Sequence, residues 1–439
     1  MKIGTTQLGY EATNSYGMHS ALRDLPGLVN VSEKTAKACD VLLVSLFWWL
    51  HVWELPQWLR RAGILRPDGS RVGPKIYVGG FQTFNPLPIL PYVDGVLVGD
   101  GEGIRSIEDL QSLCYTGEGS VDYRSVNPVP SFSHRVRTGT RIEIARGCKR
   151  RCAFCAVSHL KPYREVDFDE VKRHVRESSG PVMLFAPSTS QYSRKDELED
   201  LIAKLGIVRA DTDVCFEELG KRERGWAQRF GLDGLSEKLR KSVNKPLKNK
   251  ALVDRVAEML SAKGRLALYY YLIVDLPGEW QDDWDEYREM VLALCHLPGA
   301  EGLHVNPICS AFMPIPHTKL EGAGINLDFP IVERLRLAYA NTPNAAIVHR
   351  LHRVLAFHPV SRLLSMIAVR AGPEFVEIEA AAHAARLVWW GTEGLEYARS
   401  LTRWERLLRP WGGVERYCGP REVGDMPWKC VRAYSAGLL

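Results

Sequence analysis

The chain alternates short apolar runs with longer charged, amphipathic segments, and it does so in two separate stretches. The first stretch, from about residue 39 to 113, contains CDVLLVSLF, WELPQWLRRAG, KIYVGGF and YVDGVLVGDGEG. The second stretch begins near residue 141 and contains six strand-like runs: RIEIARG, PVMLFAP, DVCFEEL, RFGLDGL, LALYYYLIVDLPGE and GLHVNPIC. Because this alternation is typical of crossover units in a parallel sheet, the sequence predicts an α/β fold.

Turn-forming residues divide the chain into three predicted domains. Residues 115–134 have the composition of a linker, so residues 1–130 are predicted to form a Rossmann-like domain and linker. The six strand and helix units of residues 131–327 predict a partial (β/α)6 barrel, with its chemistry at the carboxyl ends of the strands. Residues 328–439 contain VERLRLAYANT, VHRLHRVLAF and GLEYARSLTRWERLLRPW, which predict a mostly helical region that covers or selects the substrate.

Composition indicates a globular protein of a reducing compartment. The 439 residues are 46% hydrophobic and 25% charged, which is ordinary for a chain with a sizeable core. The amino terminus lacks the features of a signal peptide, and the longest apolar run, VLLVSLFWWLHVW, is shorter than the ~20 residues of a membrane-spanning helix. We therefore predict a cytoplasmic protein with no membrane partner, whose ten cysteines are not expected to form a disulfide framework.

Glycines cluster after the predicted strands of the first domain, at Gly79, Gly80, Gly99, Gly101 and Gly103. Open α/β sheets bind ligands beyond the carboxyl ends of their strands, so these glycines mark a candidate ligand site. The alternative is a set of tight turns with no ligand.

Three cysteines, Cys148, Cys152 and Cys155, lie within eight positions directly after the first strand of the second stretch. Structural zinc sites use four protein ligands, and iron-sulfur clusters are usually held by four thiolates. A 4Fe-4S cluster bound by three thiolates would leave one iron open to another ligand. The alternatives are a zinc site with His159 as fourth ligand, in a nucleic-acid-binding finger, and three unrelated buried thiols.

The string RGCKRRCAFC, on a loop after a strand, resembles the signature of the radical S-adenosylmethionine (SAM) enzymes. The resemblance implies that Cys148, Cys152 and Cys155 hold a 4Fe-4S cluster, that SAM chelates its fourth iron, and that Phe154 shields the cluster from water. It also implies reductive cleavage of SAM to methionine and a 5′-deoxyadenosyl radical, which abstracts hydrogen from the substrate. A flavodoxin- or ferredoxin-type protein is the implied electron donor.

Further segments resemble the subgroup of this superfamily that has an amino-terminal cobalamin-binding domain. FGLDGLSEKLRKSVNKPLKNKALVDRV resembles its fourth strand and the following turn, which implies cofactor contacts at Asp233 and Ser236. YLIVDLPGEWQDDWDEY resembles its fifth strand, which implies that Leu276, Pro277 and Gly278 approach the adenine of SAM. SAFMPIPHTKLEG resembles the segment after its sixth strand.

One motif of the superfamily, the Gly-Gly-Glu that holds the methionine amino group, is absent after the second strand. APSTSQYS occupies this place, so Ser188 and Ser190 are either hydroxyl contacts for SAM or plain turn residues.

Residues 1 to about 113 resemble the cobalamin-binding domain of the same subgroup, through IYVGGFQTF and VDGVLVGDGEG. The Asp-x-His-x-x-Gly motif that supplies a lower cobalt ligand in other cobalamin proteins is absent, and members of the subgroup often lack it. Cobalamin is therefore a candidate cofactor, and a scaffold that has lost the cofactor is the alternative. The run FWWLHVWELPQW is either a surface for the corrin ring or an aromatic wall of the core.

Positive charge is concentrated in two places although the net charge is only +5. Residues 135–164 carry nine Lys or Arg against Glu143 alone, and residues 238–250 carry six against no acid. We interpret Lys149, Arg150, Arg151, Lys161 and Arg164 as candidate phosphate contacts. The alternative is that these charges balance the cluster and the SAM carboxylate, or lie on a solvated surface.

The basic residues favour modification or rearrangement of a nucleobase or its side group in a polynucleotide, hypermodified DNA bases included. A cobalamin-dependent C-methyltransferase acting on a peptide or small metabolite is the enzymatic alternative, and the reaction class stays open between isomerase, transferase and lyase. A zinc or iron-sulfur binding module for nucleic acid is the non-enzymatic alternative. Cys418 and Cys430 are interpreted as structural cysteines, with hydrogen donation or a second metal as the other interpretations.

Overall fold

The structure is a computed structural model of the chain, and it describes residues 1–8, 21–128, 131–136, 139–178, 180–208, 216–220, 227–340, 342, 357–391 and 394–433. Within these ranges the strands are β1 (Ile3–Gln7), β2 (Leu28–Asn30), β3 (Val41–Ser45), β4 (Lys75–Gly79), β5 (Gly95–Val96), β6 (Val121–Asp122), β7 (Ser131–Val136), β8 (Gly139–Glu143), β9 (Ala145–Arg146), β10 (Arg164–Glu165), β11 (Val182–Phe185), β12 (Ala227–Gly231), β13 (Leu266–Val274), β14 (Leu303–Ala311), β15 (Val388–Gly391), β16 (Gly394–Tyr397) and β17 (Val431–Arg432). The α-helices are Glu33–Ala36, Leu50–Arg61, Ile107–Leu113, Ala156–Leu160, Phe168–Glu177, Lys195–Lys204, Glu237–Ser242, Asn249–Lys263, Gln281–Cys295, Ile331–Ala338, Pro359–Arg370, Phe375–Ala384, Leu401–Leu408 and Glu415–Cys418.

The amino-terminal residues form a five-stranded parallel sheet with the order β2-β1-β3-β4-β5. Its central strand β3 has the sequence VLLVS, and its first four residues are buried. Nearly continuous apolar strands are typical of parallel sheets that helices cover on both faces. The predicted α/β fold with parallel sheets is confirmed.

The barrel region contains two separate three-stranded sheets among the described residues. In the first sheet, β8 pairs with β11 in parallel and with β7 in antiparallel orientation. In the second sheet, β12, β13 and β14 are all parallel. Alternate residues of β13, from Leu266 to Val274, are fully or almost fully buried, whereas Tyr269, Tyr271 and Ile273 lie on the other, more exposed face of the sheet. The closure of the two sheets into a partial (β/α)6 barrel stays a prediction.

Five of the six strands predicted for the barrel coincide with β8, β11, β12, β13 and β14. The prediction of a strand at 213–219 is not met in the described residues. Positions 213–215 lie outside them, and Phe216–Glu218 forms a short 3-10 helix. Apolar runs of this length do not distinguish a strand from a helical turn, which explains the error.

The helix Ile331–Ala338 packs against the barrel rather than standing apart from it. Leu335 and Tyr339 are buried in the same apolar cluster as the barrel strands. The hydroxyl of Tyr339 lies 3.1 Å from that of Tyr270, which in turn lies 2.7 Å from the hydroxyl of Tyr287. Each hydroxyl of this buried trio therefore has a partner, as buried polar groups require.

The following helices pack mainly on the amino-terminal domain. The indole N–H of Trp53 donates to the carbonyl of Leu364 over 2.9 Å, and its ring meets Phe375 and Trp404 edge-on at 4.8 and 5.7 Å between centroids. The fully buried Glu379 accepts hydrogen bonds from Arg60 over 2.7 Å. The helix Pro359–Arg370 also reaches the barrel edge, because Arg362 pairs with Asp275 after β13. The division at residue 328, and a lid role for this region, stay predictions.

One detail of the carboxyl-terminal prediction needs correction, and a second lies outside the described residues. The segment GLEYARS was predicted to be helical, but Gly394–Tyr397 is strand β16, paired with β15, and the helix begins at Leu401. Most of VHRLHRVLAF lies outside the described residues. None of the helices described in the structure has the length and apolar content needed to cross a bilayer.

Candidate active site

The three clustered cysteines lie on one loop that is closed at its base. Strands β9 and β10 pair antiparallel, with Arg146 opposite Arg164, so the loop leaves and returns at the same place. Gly147 has a φ of 76°, and a Cβ atom there would collide with the carbonyl of Pro162. Only glycine fits at this crossing without strain. We call residues 147–160 the cysteine loop.

All three cysteines line one cavity of about 570 Å³. Cys152 is buried, and Cys148 and Cys155 are half-buried. The side-chain amide of Gln191 donates to Cys148 Sγ over 3.3 Å. Burial raises the pKa of Cys152 to about 11 and also raises the pKa of Cys155, so these thiols are protonated at neutral pH and would have to lose their protons to bind a metal.

His159 does not face the cysteines in the way a zinc ligand would. Its ring is buried, and its Nε2 donates to the backbone carbonyl of Cys152 over 3.1 Å. Within the residues that the structure describes, no group of three or more His, Cys, Asp or Glu side chains is arranged to hold a single metal ion. Thiols around a shared cavity, each able to bind a different iron, instead fit the three-thiolate cluster that the motif implies.

The rest of the cavity wall comes from the carboxyl ends of the barrel strands. Arg229 and Gly231 of β12 share a face of the sheet, and Tyr271 of β13 lies opposite Gly231. Next to them Lys245 pairs with Asp233, in the space that a side chain at position 231 would fill. The cavity wall therefore contains thiols on one side and a pair of opposite charges on another. Such a wall suits a ligand with polar groups.

The predicted cofactor residues separate into two groups. Phe154, Ser188 and Asp233 line the cavity, and the hydroxyl of Ser190 lies 3.1 Å from that of Ser188. Ser236 does not line it. Its hydroxyl caps the helix Glu237–Ser242 by accepting from the Leu239 amide over 3.1 Å, and it donates to Asp283.

Leu276, Pro277 and Gly278 also lie outside the cavity wall, in the turn after β13. Leu276 is buried, and its amide donates to Glu279 over 3.1 Å. The motif comparison missed Arg229, Tyr271 and Lys245, which do line the cavity. The available signal for Arg229 was its position on the same face of β12 as the small residues Ala227 and Gly231, opposite the buried Gln228 and Phe230.

Glu279 gives the turn after β13 a predicted pH dependence. Burial raises the pKa of Glu279 to about 7, although the amide of Leu276 and the indole of Trp284 stabilise its charge. Its contribution to stability is complete below its ordinary pKa of 4.5 and is lost as the pH rises through 7. From pH 5 to 7.5, the free energy of unfolding of the wild type should fall by about 2 kcal/mol relative to Glu279→Gln. Parallel stability profiles of the two proteins, measured by guanidinium denaturation, would contradict the raised pKa.

Most of the basic residues singled out in the sequence are paired within the chain. Lys149 lies 3.8 Å from Glu165, Arg150 pairs with Glu217 at 2.7 Å, and Arg164 donates to the Ser125 hydroxyl over 3.0 Å. In the second basic stretch, Lys238, Lys245, Lys248 and Lys250 each pair with a carboxylate.

Arg240, also in the second stretch, is fully buried and donates to the carbonyls of Leu247, Gly234 and Leu235. For residues 238–250, therefore, internal pairing accounts for most of the charge. This finding favours the structural interpretation of that stretch over a phosphate track.

A second cavity, of about 440 Å³, opens at the carboxyl edge of the amino-terminal sheet. Four of the five predicted glycines line it, namely Gly79, Gly80, Gly99 and Gly101. In the run FWWLHVWELPQW, the tryptophans at positions 49, 53 and 58 are buried core residues, whereas Phe47 and Trp48 are exposed and Phe47 lines this cavity. The run is therefore mainly part of the hydrophobic core, and Phe47 is the aromatic residue of the run that lines the cavity.

Comparison with known proteins gives no match to a protein-family model. The chain is 24% identical over 238 residues to a tRNA-2-methylthio-N(6)-dimethylallyladenosine synthase of Akkermansia muciniphila, covering 46% of this chain and 50% of that protein. It is 22% identical over 235 residues to the ribosomal protein uS12 methylthiotransferase RimO of Clostridium acetobutylicum, covering 46% and 52%. The chain thus spans about half the length of these relatives.

Among solved structures, the chain is similar to the cobalamin-dependent S-adenosylmethionine radical enzyme OxsB with aqua-cobalamin bound. The TM-score is 0.48 and the sequence identity 12%, over 90% of this chain and 64% of that one.

Proposed function

We propose that this chain is a radical SAM enzyme of the subgroup with a cobalamin-binding-type domain, and that it binds a 4Fe-4S cluster through Cys148, Cys152 and Cys155. The observation that supports the assignment most strongly is that all three thiols open onto one cavity beside the barrel strands. Cluster and SAM are the cofactors of this superfamily, and when bound they supply a strong hydrogen-atom abstractor. A flavodoxin- or ferredoxin-type protein would deliver the electron.

The side chains of the cavity would bind and orient SAM and keep water away. Phe154 lies between two of the cysteines and covers part of the cavity wall with an apolar ring. Ser188, with Ser190 at its hydroxyl, offers hydrogen bonds where the superfamily uses Gly-Gly-Glu. Arg229 and Lys245 place positive charge where a carboxylate of the ligand would be stabilised. Exclusion of water from the site would limit side reactions.

For the substrate, we propose a nucleobase or its side group within a polynucleotide. Support comes from the relative that is named as a tRNA-2-methylthio-N(6)-dimethylallyladenosine synthase, because this name describes a modified base in a polynucleotide. The paired lysines of residues 238–250 give this proposal no help. Most of the basic residues around the cysteine loop are also paired within the chain, so the proposal rests mainly on the relatives.

A second candidate function is cobalamin-dependent methyl transfer to carbon in a peptide or small metabolite. The amino-terminal cavity favours it, because a glycine-lined space with an exposed Phe47 at the carboxyl edge of a parallel sheet is suited to a large cofactor. The relative that is named for a ribosomal protein substrate agrees with a peptide target.

Anaerobic incubation with SAM and a reductant separates these functions. We expect the reconstituted protein to form 5′-deoxyadenosine, and to form it faster with tRNA or DNA than with ribosomal peptides. Mass spectrometry of nucleosides from the digested polynucleotide should then reveal a mass change. Stimulation by peptides alone, with methyl transfer that requires added methylcobalamin, would instead establish the second candidate and contradict the first.

A further inference from the structure

One carboxylate of the amino-terminal domain contacts both ends of the cysteine loop. Asp100 Oδ2 lies 3.1 Å from Arg146 Nη1, immediately before the loop, and Oδ1 lies 2.5 Å from Lys161 Nζ, immediately after it. These contacts connect the segment after β5 with Arg146, just beyond the carboxyl end of β8, and with Lys161, at the end of the helix Ala156–Leu160. A single side chain therefore ties together the two points that set the loop's position.

Asp100 is itself held firmly in place. Its side chain is 7% exposed, its amide donates to the Arg124 carbonyl over 2.8 Å, and its Oδ2 accepts from the Val126 amide over 3.0 Å. Burial alone would raise its pKa, but Lys161 and Arg146 outweigh burial and the pKa is lowered, so the carboxylate is charged. A buried, charged and backbone-anchored carboxylate makes a rigid support for its two cations.

The two cations are fixed by further contacts. Arg146 also pairs with Glu102 at 2.7 Å and with Glu143 at 2.8 Å. Between Cys155 and Lys161, the helix Ala156–Leu160 packs into the apolar core of the amino-terminal domain through Ala156 and Leu160. The cysteine loop thus has its base on the amino-terminal domain and its thiols on the barrel cavity.

We propose that Asp100 is a positioning residue for the cluster site, which fixes the spacing of the cysteines by holding both ends of their loop. The effect on a cluster rests on the proposed function, whereas the contacts of Asp100 with Arg146 and Lys161 do not depend on it. Asp100 and Lys161 also line the amino-terminal cavity. Loss of the carboxylate charge would leave the partly buried Lys161 without this carboxylate and the buried Arg146 with only Glu102 and Glu143, and it would loosen the loop.

The test compares Asp100→Asn with a matched control, Asp94→Asn. Asp94 belongs to the same domain and likewise contacts two cations, Arg71 at 2.8 Å and Lys75 at 3.2 Å, and accepts one backbone amide. Hydrogen exchange of the cluster-free protein is followed in the peptide 147–160. We expect roughly tenfold faster exchange there in Asp100→Asn and no change in Asp94→Asn. After reconstitution, only Asp100→Asn should alter the EPR signal of the reduced cluster.

Equal exchange of the peptide 147–160 in the two variants would overturn the proposal. If Asp100→Asn does not fold, the test uses Lys161→Met, which removes one of the two contacts of Asp100. Unchanged hydrogen exchange at the end of the loop in this variant would refute the positioning role. The exchange measurement needs neither cluster nor SAM. A wild type that fails to cleave SAM would therefore refute the proposed function and leave this result standing.

Discussion

Replacing Cys148, Cys152 or Cys155 singly with alanine is expected to lower the rate of 5′-deoxyadenosine formation by more than about 100-fold. The reason is that removing a metal ligand lowers activity more than removing a side chain that only holds a ligand in place. Each thiol is one of only three that line the cavity. No neighbouring side chain in the described part of the cavity wall is placed to replace it, since His159 is bound to a backbone carbonyl. The three variants should also bind less iron after anaerobic reconstitution.

The control for the cysteine variants is Cys114→Ala. Cys114 is a free, half-buried thiol of the amino-terminal domain, and it does not line the cysteine cavity. This variant should keep the iron content and the reaction rate of the wild type. Full activity in any of the three loop variants, or equal losses in all four, would contradict the assignment of the ligands.

Trp53→Ala is expected to lower the free energy of unfolding by about 3–5 kcal/mol. Trp53 is fully buried where the helix Leu50–Arg61 meets the carboxyl-terminal helices. The alanine variant lacks the hydrogen bond to Leu364 and the ring contacts with Phe375 and Trp404. Removing a large ring from a packed core leaves a cavity that the surroundings fill only in part. Guanidinium denaturation followed by far-UV circular dichroism measures the change.

Trp48→Ala serves as the matched control for Trp53→Ala. Trp48 lies five residues earlier in the same run and is 49% exposed. Its replacement should change the free energy of unfolding by less than about 0.5 kcal/mol. Similar losses in the two variants would mean that the carboxyl-terminal helices do not pack on the amino-terminal domain as described.

The features that the sequence predicted correctly depend on local pattern. The apolar and aromatic run from Leu266 onward predicts the strand β13, and the cysteine triplet follows β8 as expected. The glycines at the ends of β4 and β5 line a cavity, as their place at the carboxyl edge of the sheet predicted. Gly80 and Gly99 have positive φ, which few other residues adopt.

Two of the predicted cofactor residues have a structural role as well, and their contacts with a cofactor stay predictions. A serine at the start of a charged helix is a preferred cap, and Ser236 caps the helix Glu237–Ser242. The apolar side chain of Leu276 is buried, whereas the predicted contact with SAM involves the backbone of its turn.

Contacts between distant segments gave no signal in a single sequence. Trp53 meets Leu364 across 311 positions, and Asp100 meets Lys161 across 61. Neither pairing changes the local periodicity on which the sequence predictions depend. The docking of the carboxyl-terminal helices and the support of the cysteine loop therefore emerge only from the structure.

The EPR spectrum of the reduced, reconstituted protein, recorded with and without SAM, tests the central claim most directly. If the three thiols leave one iron open for SAM, addition of SAM should change the spectrum, and ¹⁵N-labelled SAM should produce a resolvable hyperfine coupling. A cluster that is present but whose spectrum is identical with and without SAM would contradict the account. The chain would then hold a fully protein-ligated cluster, as an electron-transfer or binding module does.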